Sequence, residues 1–148
     1  AILQWKSQMA WIKVDDQPGR KVDLTGLFAM MQAETFGGGY RVAPGMQPFG
    51  DSASIVLGFG LTKLQMLSVM GPLEKGRHVG KWGKISMEPC RRFEIKALDS
   101  EGNPTDEKGH EPPLFISLDG EISMTTPVSF EFHEGQLNVR GGKRPPNV

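Results

Sequence analysis

Three histidines, one cysteine and a few neighbouring acids are the groups in this 148-residue chain best suited to act as ligands, bases or nucleophiles. His78, His110 and His133 lie far apart in sequence. His133-Glu134 lacks the second histidine that would put two ring nitrogens on one helix face around zinc. So few histidines do not meet the usual ligand spacing, and neither a metal nor a cofactor is expected. Gly71 and Gly76 have P-loop spacing, but Arg77-His78 follows where phosphate binding needs a lysine and magnesium binding a hydroxyl. Gly58-Phe59-Gly60 opens no expected helix, so it is not a dinucleotide fingerprint. Cys90 precedes Arg91-Arg92, which could lower a thiol pKa, although a small, partly buried side chain is the commoner explanation. Asp15-Asp16 stands beside Pro18-Gly19 and reads as a polar turn. No catalytic residue emerges, and the expectation is that the chain is not an enzyme.

Binding candidates are better supported. In the stretch Lys75–Lys84, the cations Lys75, Arg77, Lys81 and Lys84 are interleaved with Trp82. Cations around an interfacial aromatic suit an anionic membrane or a nucleic-acid backbone. The competing reading folds Trp82 into the core. Gly76, Gly80 and Gly83 add backbone freedom, so this stretch is expected to be an exposed loop without regular structure. The eight methionines, including Met30, Met31 and Met46, read as flexible core filler.

Net charge is zero but unevenly placed. Lys63–Lys84 carries five cations and one acid, whereas Glu94–Glu134 carries two cations and ten acids. Two ordinary solvated faces would explain this. So would association of one copy's basic face with another's acidic face, with Lys63, Glu101, Asp106, Glu107 and Glu111 as candidate contacts.

These residues must be carried by elements. Leu24, Leu27, Phe28 and Met31 fall at helical spacing with Asp23 as a possible N-cap, which predicts a principal helix over residues 23–33. Met9–Val14 and Arg92–Leu98 alternate as strands. Ser54–Gly60 is a short apolar run, the mark of a buried strand, and Thr62–Met70 reads as a second strand after a bend. Asp119-Gly120 joins Leu114–Leu118 to Glu121–Thr125 as a hairpin. Val128–Phe132 and Leu137–Val139 follow as closing strands. Phe36–Asp51 is a long Gly/Pro-rich connection. The sum is α+β, one domain over 1–148, a mainly antiparallel sheet packed against one helix, with 141–148 a frayed tail. Phe93, Ile95, Leu114, Ile116, Val128, Phe130 and Phe132 are the expected core, with Leu24, Leu27, Phe28 and Met31 packed on it.

Composition agrees with an ordinary globular chain: 38% hydrophobic and 23% charged. No apolar run reaches membrane-span length and no leader peptide is read at Ala1. The single cysteine excludes an internal disulfide and fits, weakly, a reducing compartment.

Several segments resemble rhabdovirus matrix proteins. They are the early strand and turn leading into the 23–33 segment, the glycine-broken run Ile55–Thr62, and Arg91–Pro104 with its paired arginines, alternating strand and Asp-Ser-x-Gly turn. The family's Lys-rich arm and proline–tyrosine motif have no counterpart, since Pro112-Pro113 and Pro145-Pro146 lack the tyrosine. The resemblance implies a non-enzymatic structural protein of the virion and host cytoplasm. Such a protein self-associates as a homo-oligomer, lies on the inner face of the envelope against an anionic membrane, binds the viral ribonucleoprotein and drives budding. Two other readings are a small β-rich ligand- or peptide-binding module, with the Phe36–Asp51 loop covering a pocket, and an enzyme whose site follows no motif.

Overall fold

The computed structural model describes residues 8–106, 114–118 and 121–135. The elements in chain order are β1 (Gln8–Val14), β2 (Arg20–Met31), β3 (Ala53–Phe59), α1 (Lys63–Glu74), a 3-10 turn (Lys81–Gly83), β4 (Ile85–Cys90), β5 (Arg92–Leu98), β6 (Pro104–Thr105), β7 (Phe115–Leu118), β8 (Glu121–Thr125) and β9 (Val128–Glu131). The main sheet runs β4-β3-β2-β1-β5-β6, with β9 also on β5, and β7-β8 forms a separate hairpin. The pairings are antiparallel. The class is therefore the expected one, a sheet-dominated α+β fold with one α-helix among the described residues, but the helix is not where periodicity placed it.

Residues 23–33 are not helical. They fall in and just after β2, which pairs with β1 on one side and β3 on the other. The error has a physical cause. β2 is apolar on both faces: Val22, Leu24, Phe28 and Met30 pack on one core, while Ala29 and Met31 pack on another. A strand buried on both faces loses its alternation. With Leu24 and Phe28 facing one core and Met31 the other, apolar residues recur at 24, 28 and 31 as they would on a helix, and the register also shifts between Leu24 and Phe28. Gly26, costly inside a helix, sits in that irregularity, a usual place for a strand glycine.

The two cores lie on either side of the sheet. One gathers Ala10, Ile12, Val14, Val22, Ile55, Leu57, Cys90, Phe93, Ile95 and Leu114. The other gathers Met31, Val42, Ala43, Val56, Leu61, Val69, Leu73 and Ile85 beneath α1. β3 serves both, with Ile55 and Leu57 turned one way and Val56 the other. Phe93, Ile95 and Leu114 are buried as expected, and the Phe93 ring meets Phe28 at 5.2 Å between centroids. Ile116, Val128 and Phe130 are only partly buried against the first core, and Phe132 is half-buried. The Leu27 side chain, residues 136–148 with the expected strand Leu137–Val139, His110, Glu107, Glu111 and the Asp119-Gly120 turn fall outside the described residues.

A carboxylate clip closes one end of the sheet. Asp15, with φ 48°, accepts from the backbone N–H of Arg91 at 2.8 Å and of Arg92 at 2.6 Å. Cys90 is buried next to it. Burial raises the thiol pKa to about 11, and the negative charges of Asp15 and Glu88 add to the rise. The neighbouring arginines do not activate it, and Cys90 is a poor nucleophile.

Candidate functional site

The helix that the fold does contain is written into Thr62–Arg77. Thr62 Oγ1 accepts from Gln65 N at 3.2 Å, and Gln65 Oε1 accepts from Thr62 N at 3.0 Å, a reciprocal cap on the first turn. At the other end Gly76 takes φ +65°, its N–H donates to Leu73 O, and Arg77 N–H donates to Pro72 O. This is the left-handed stop that favours glycine after a helix. A Cβ on Gly76 would also come within 3.1 Å of Pro44 Cβ, so the stop is packed as well as bent.

The helix is apolar on both faces. Val69 and Leu73 turn inward onto the second core. Leu64, Leu67 and Met70 turn outward and are 77%, 50% and 41% exposed. Surface helices normally carry one apolar stripe with polar residues opposite, whereas here Leu64, Leu67 and Met70 share the exposed side with Lys63, Ser68 and Glu74. Beyond it, Trp82 is 44% exposed in the 3-10 turn with φ 53°, between Gly80 and Gly83 at positive φ. Lys81 Nζ lies 5.4 Å from the centre of the Trp82 ring. Lys84 Nζ donates to Gly60 O at 2.6 Å and to Gln65 Oε1 at 3.2 Å, which keeps the turn close to the first turn of α1.

This arrangement revises the expectation for Lys75–Lys84. Lys75, Arg77 and Trp82 are exposed and Lys81 is half-exposed, and Trp82 is not a core residue. The stretch is nevertheless not irregular. It holds the helix stop and a 3-10 turn fastened by Lys81 N–H to His78 O, Lys84 N–H to Lys81 O and Gly80 N–H to Ile85 O. Lys84 spends its ammonium on the fold. Lys63 is exposed at the start of α1. Of the acidic candidates, Asp106 pairs with Lys96 at 2.6 Å and Glu101 accepts from Asn103 at 3.5 Å. They lie by β5 and β6, at the opposite end of the sheet from β4 and the 3-10 turn, so the basic and acidic regions are separated in space as in sequence.

His78 is the titratable group that sequence reading undervalued. It is fully buried between the helix stop and the 36–52 connection, with Nε2 3.0 Å from Val42 O. A carbonyl can only accept, so Nε2 carries the proton and Nδ1 is bare, with no partner among the described residues. Burial lowers the pKa below its ordinary 6.5, partly offset by the Val42 bond. The unfolded chain therefore binds more protons near that pH, and stability must fall as pH drops below about 6.5 and on through the lower folded value. Thermal melts from pH 7.5 to 5 are expected to show this loss, and His78→Gln is expected to flatten the slope. Glu34 and Asp99, whose carboxyls are held low by backbone N–H groups of Gly45 and Asn103 respectively, contribute the same sense of change in a more acidic range.

The 36–52 connection is tied down at Glu34, which accepts from Arg41 Nη2 at 2.6 Å, Arg41 Nε at 3.0 Å and Gly45 N at 2.9 Å. Gly37, Gly38 and Gly39 all take positive φ between Phe36 and Tyr40, whose backbones bond each other. The 44–52 part lines an open cleft of about 330 Å³ with Met87 and Pro89 of β4. Among the described residues no group of three or more His, Cys, Asp and Glu could hold a metal ion, and no helix is long and apolar enough to cross a membrane.

No sequence family and no curated protein matches this chain. A solved structure does: a putative diacylglycerol kinase from Bacillus anthracis str. Sterne, with TM-score 0.64 and 16% identity over 90% of this chain. At that identity the likeness is one of fold. This chain spans 42% of the length of that protein. The match corrects two expectations. The resemblance to rhabdovirus matrix proteins, carried by short segments, gives way to a likeness that spans nine-tenths of the chain and leads elsewhere. The expectation that the chain is not an enzyme is withdrawn as well: it rested on the absence of local motifs, and this fold occurs in a protein described as a putative diacylglycerol kinase.

Proposed function

We propose that this chain forms part of an enzyme that phosphorylates a membrane lipid, of the diacylglycerol kinase type. The observation that carries the reading is the fold shared with the putative diacylglycerol kinase over 90% of this chain. The reaction would break the terminal P–O bond of a nucleoside triphosphate, form a P–O bond to the lipid hydroxyl, and pass the hydroxyl proton to a base or to water. Gly71 and Gly76 lie in the last turn and the stop of α1, not in a phosphate-cradling loop. We take this chain's part to be the lipid side of the reaction. An outward apolar face on α1 supports that assignment, because a lipid kinase works where its acceptor is dissolved in a bilayer.

The test is transfer of labelled terminal phosphate from ATP to diacylglycerol, assayed with the protein that carries this chain. Label in the lipid phase, dependent on diacylglycerol, is the expected result. Absence of labelled lipid with both vesicle-borne and short-chain diacylglycerol would overturn the reading.

A further inference from the structure

We infer that the outward face of α1, together with the Lys81–Gly83 turn, is a docking surface for an anionic lipid bilayer. The choice of a bilayer as occupant rests on the lipid-kinase reading. The surface itself is defined by the structure.

Leu64, Leu67 and Met70 project from one side of α1 while Val69 and Leu73 project from the other. Helical spacing puts Lys63 and Lys75 on the outward side with the apolar residues. Val79 and Trp82, beyond the helix stop, are also exposed, and the Lys84 bonds to Gly60 and Gln65 hold the Lys81–Gly83 turn near the start of α1. Among the described residues, five of the nine exposed large hydrophobic residues thus fall within residues 64–82. Such clustering marks an interaction surface, whereas exposed apolar residues scattered singly do not.

Charge selects the partner. Lys63, Lys75 and Arg77 are exposed and Lys81 half-exposed within the same stretch as the apolar residues, and Glu74 is the single acid between Lys63 and Lys84. Apolar side chains flanked by cations fit the boundary between headgroups and acyl chains of an anionic leaflet. Trp82 is suited to that depth, with its ring among headgroups and its N–H still hydrated. Its backbone adds a separate indication. A bulky residue at φ 53° is an outlier that costs strain, and here the strained residue leaves its side chain 44% exposed rather than packed in the core. The acidic residues near β5 and β6 lie at the other end of the sheet and would face away from the leaflet.

Co-sedimentation with phosphatidylcholine vesicles, with and without phosphatidylserine, tests this. The protein is expected to bind the anionic vesicles and to release as salt is raised. Lys75→Gln and Lys81→Gln are each expected to weaken binding about fivefold. Leu64→Ser with Leu67→Ser is expected to weaken it at least about tenfold without lowering the melting temperature. No binding to anionic vesicles, or binding indifferent to the paired leucine change, would overturn the proposal. So would light scattering showing that these leucines hold two copies together while vesicles are ignored. Failure here can be told from failure of the lipid-kinase reading: phosphorylation of short-chain diacylglycerol that ignores vesicles and the leucine pair keeps the kinase and removes the docking surface. Vesicle binding without phosphorylation of any diacylglycerol does the reverse.

Discussion

Phe93→Ala is expected to lower the unfolding free energy by about 3–5 kcal/mol, as truncation of a fully buried phenylalanine does. Phe93 is inaccessible to solvent, pairs across the sheet with Val14 on one side and Phe130 on the other, and touches the Phe28 ring. These neighbours come from three other strands, β1, β2 and β9, so local movement cannot readily fill the hole. Phe130 sits on the same core but is only partly buried, and Phe130→Ala is expected to cost less. Urea unfolding of the two variants gives the comparison. Equal losses, or a smaller loss at Phe93, would mean that the first core is not centred where the structure puts it.

Val69→Asp and Leu67→Asp, two residues apart on α1, are expected to behave in opposite ways. Val69 points into the second core. Keeping a carboxyl of ordinary pKa about 4 neutral there at about pH 7 costs roughly 4 kcal/mol, to which the lost methyl packing adds. Leu67 points outward and is half exposed, so an aspartate there is expected to change stability by less than about 0.5 kcal/mol. Melting temperatures of the pair decide the matter, and comparable losses would show that the outer face of α1 is covered by the protein itself.

The fold class was legible because the strands β1 and β5 alternate and the Asp119-Gly120 pair announces a hairpin. The helix was misplaced for reasons that both segments share. β2 is buried on both faces, so its apolar residues have no period of two to read. α1 is apolar on both faces, so it has no amphipathic stripe. The signal that could have corrected both is short range: Thr62-Lys63-Leu64-Gln65 is a capping-box pattern and Gly76 a helix stop, while Gly26 argues against a helix at 23–33. β4 was passed over because Pro89 and the glycines before it suggest a loop. β4 lies at the edge of the sheet, where a proline is tolerated.

The candidate surface was half legible. Lys75, Arg77, Lys81 and Trp82 could be read as a basic aromatic stretch from their letters alone. Leu64, Leu67 and Met70 could not, because their exposure depends on α1 being a helix and on which side packs inward. His78 was read as one of three scattered histidines. Its burial against Val42 depends on the 36–52 connection folding back over the helix stop, which no local pattern encodes.

Cys90 is buried and poorly nucleophilic, so a new surface cysteine can be labelled selectively with a polarity-sensitive fluorophore. Ser68→Cys places the label on the outward side of α1, and Glu101→Cys places it at the acidic end of the sheet as a reference. On addition of phosphatidylserine vesicles, the label at 68 is expected to shift to shorter wavelength and the label at 101 to remain unchanged. A shift at 101 alone, equal shifts at both positions, or no shift at either would contradict the assignment of α1 to the membrane.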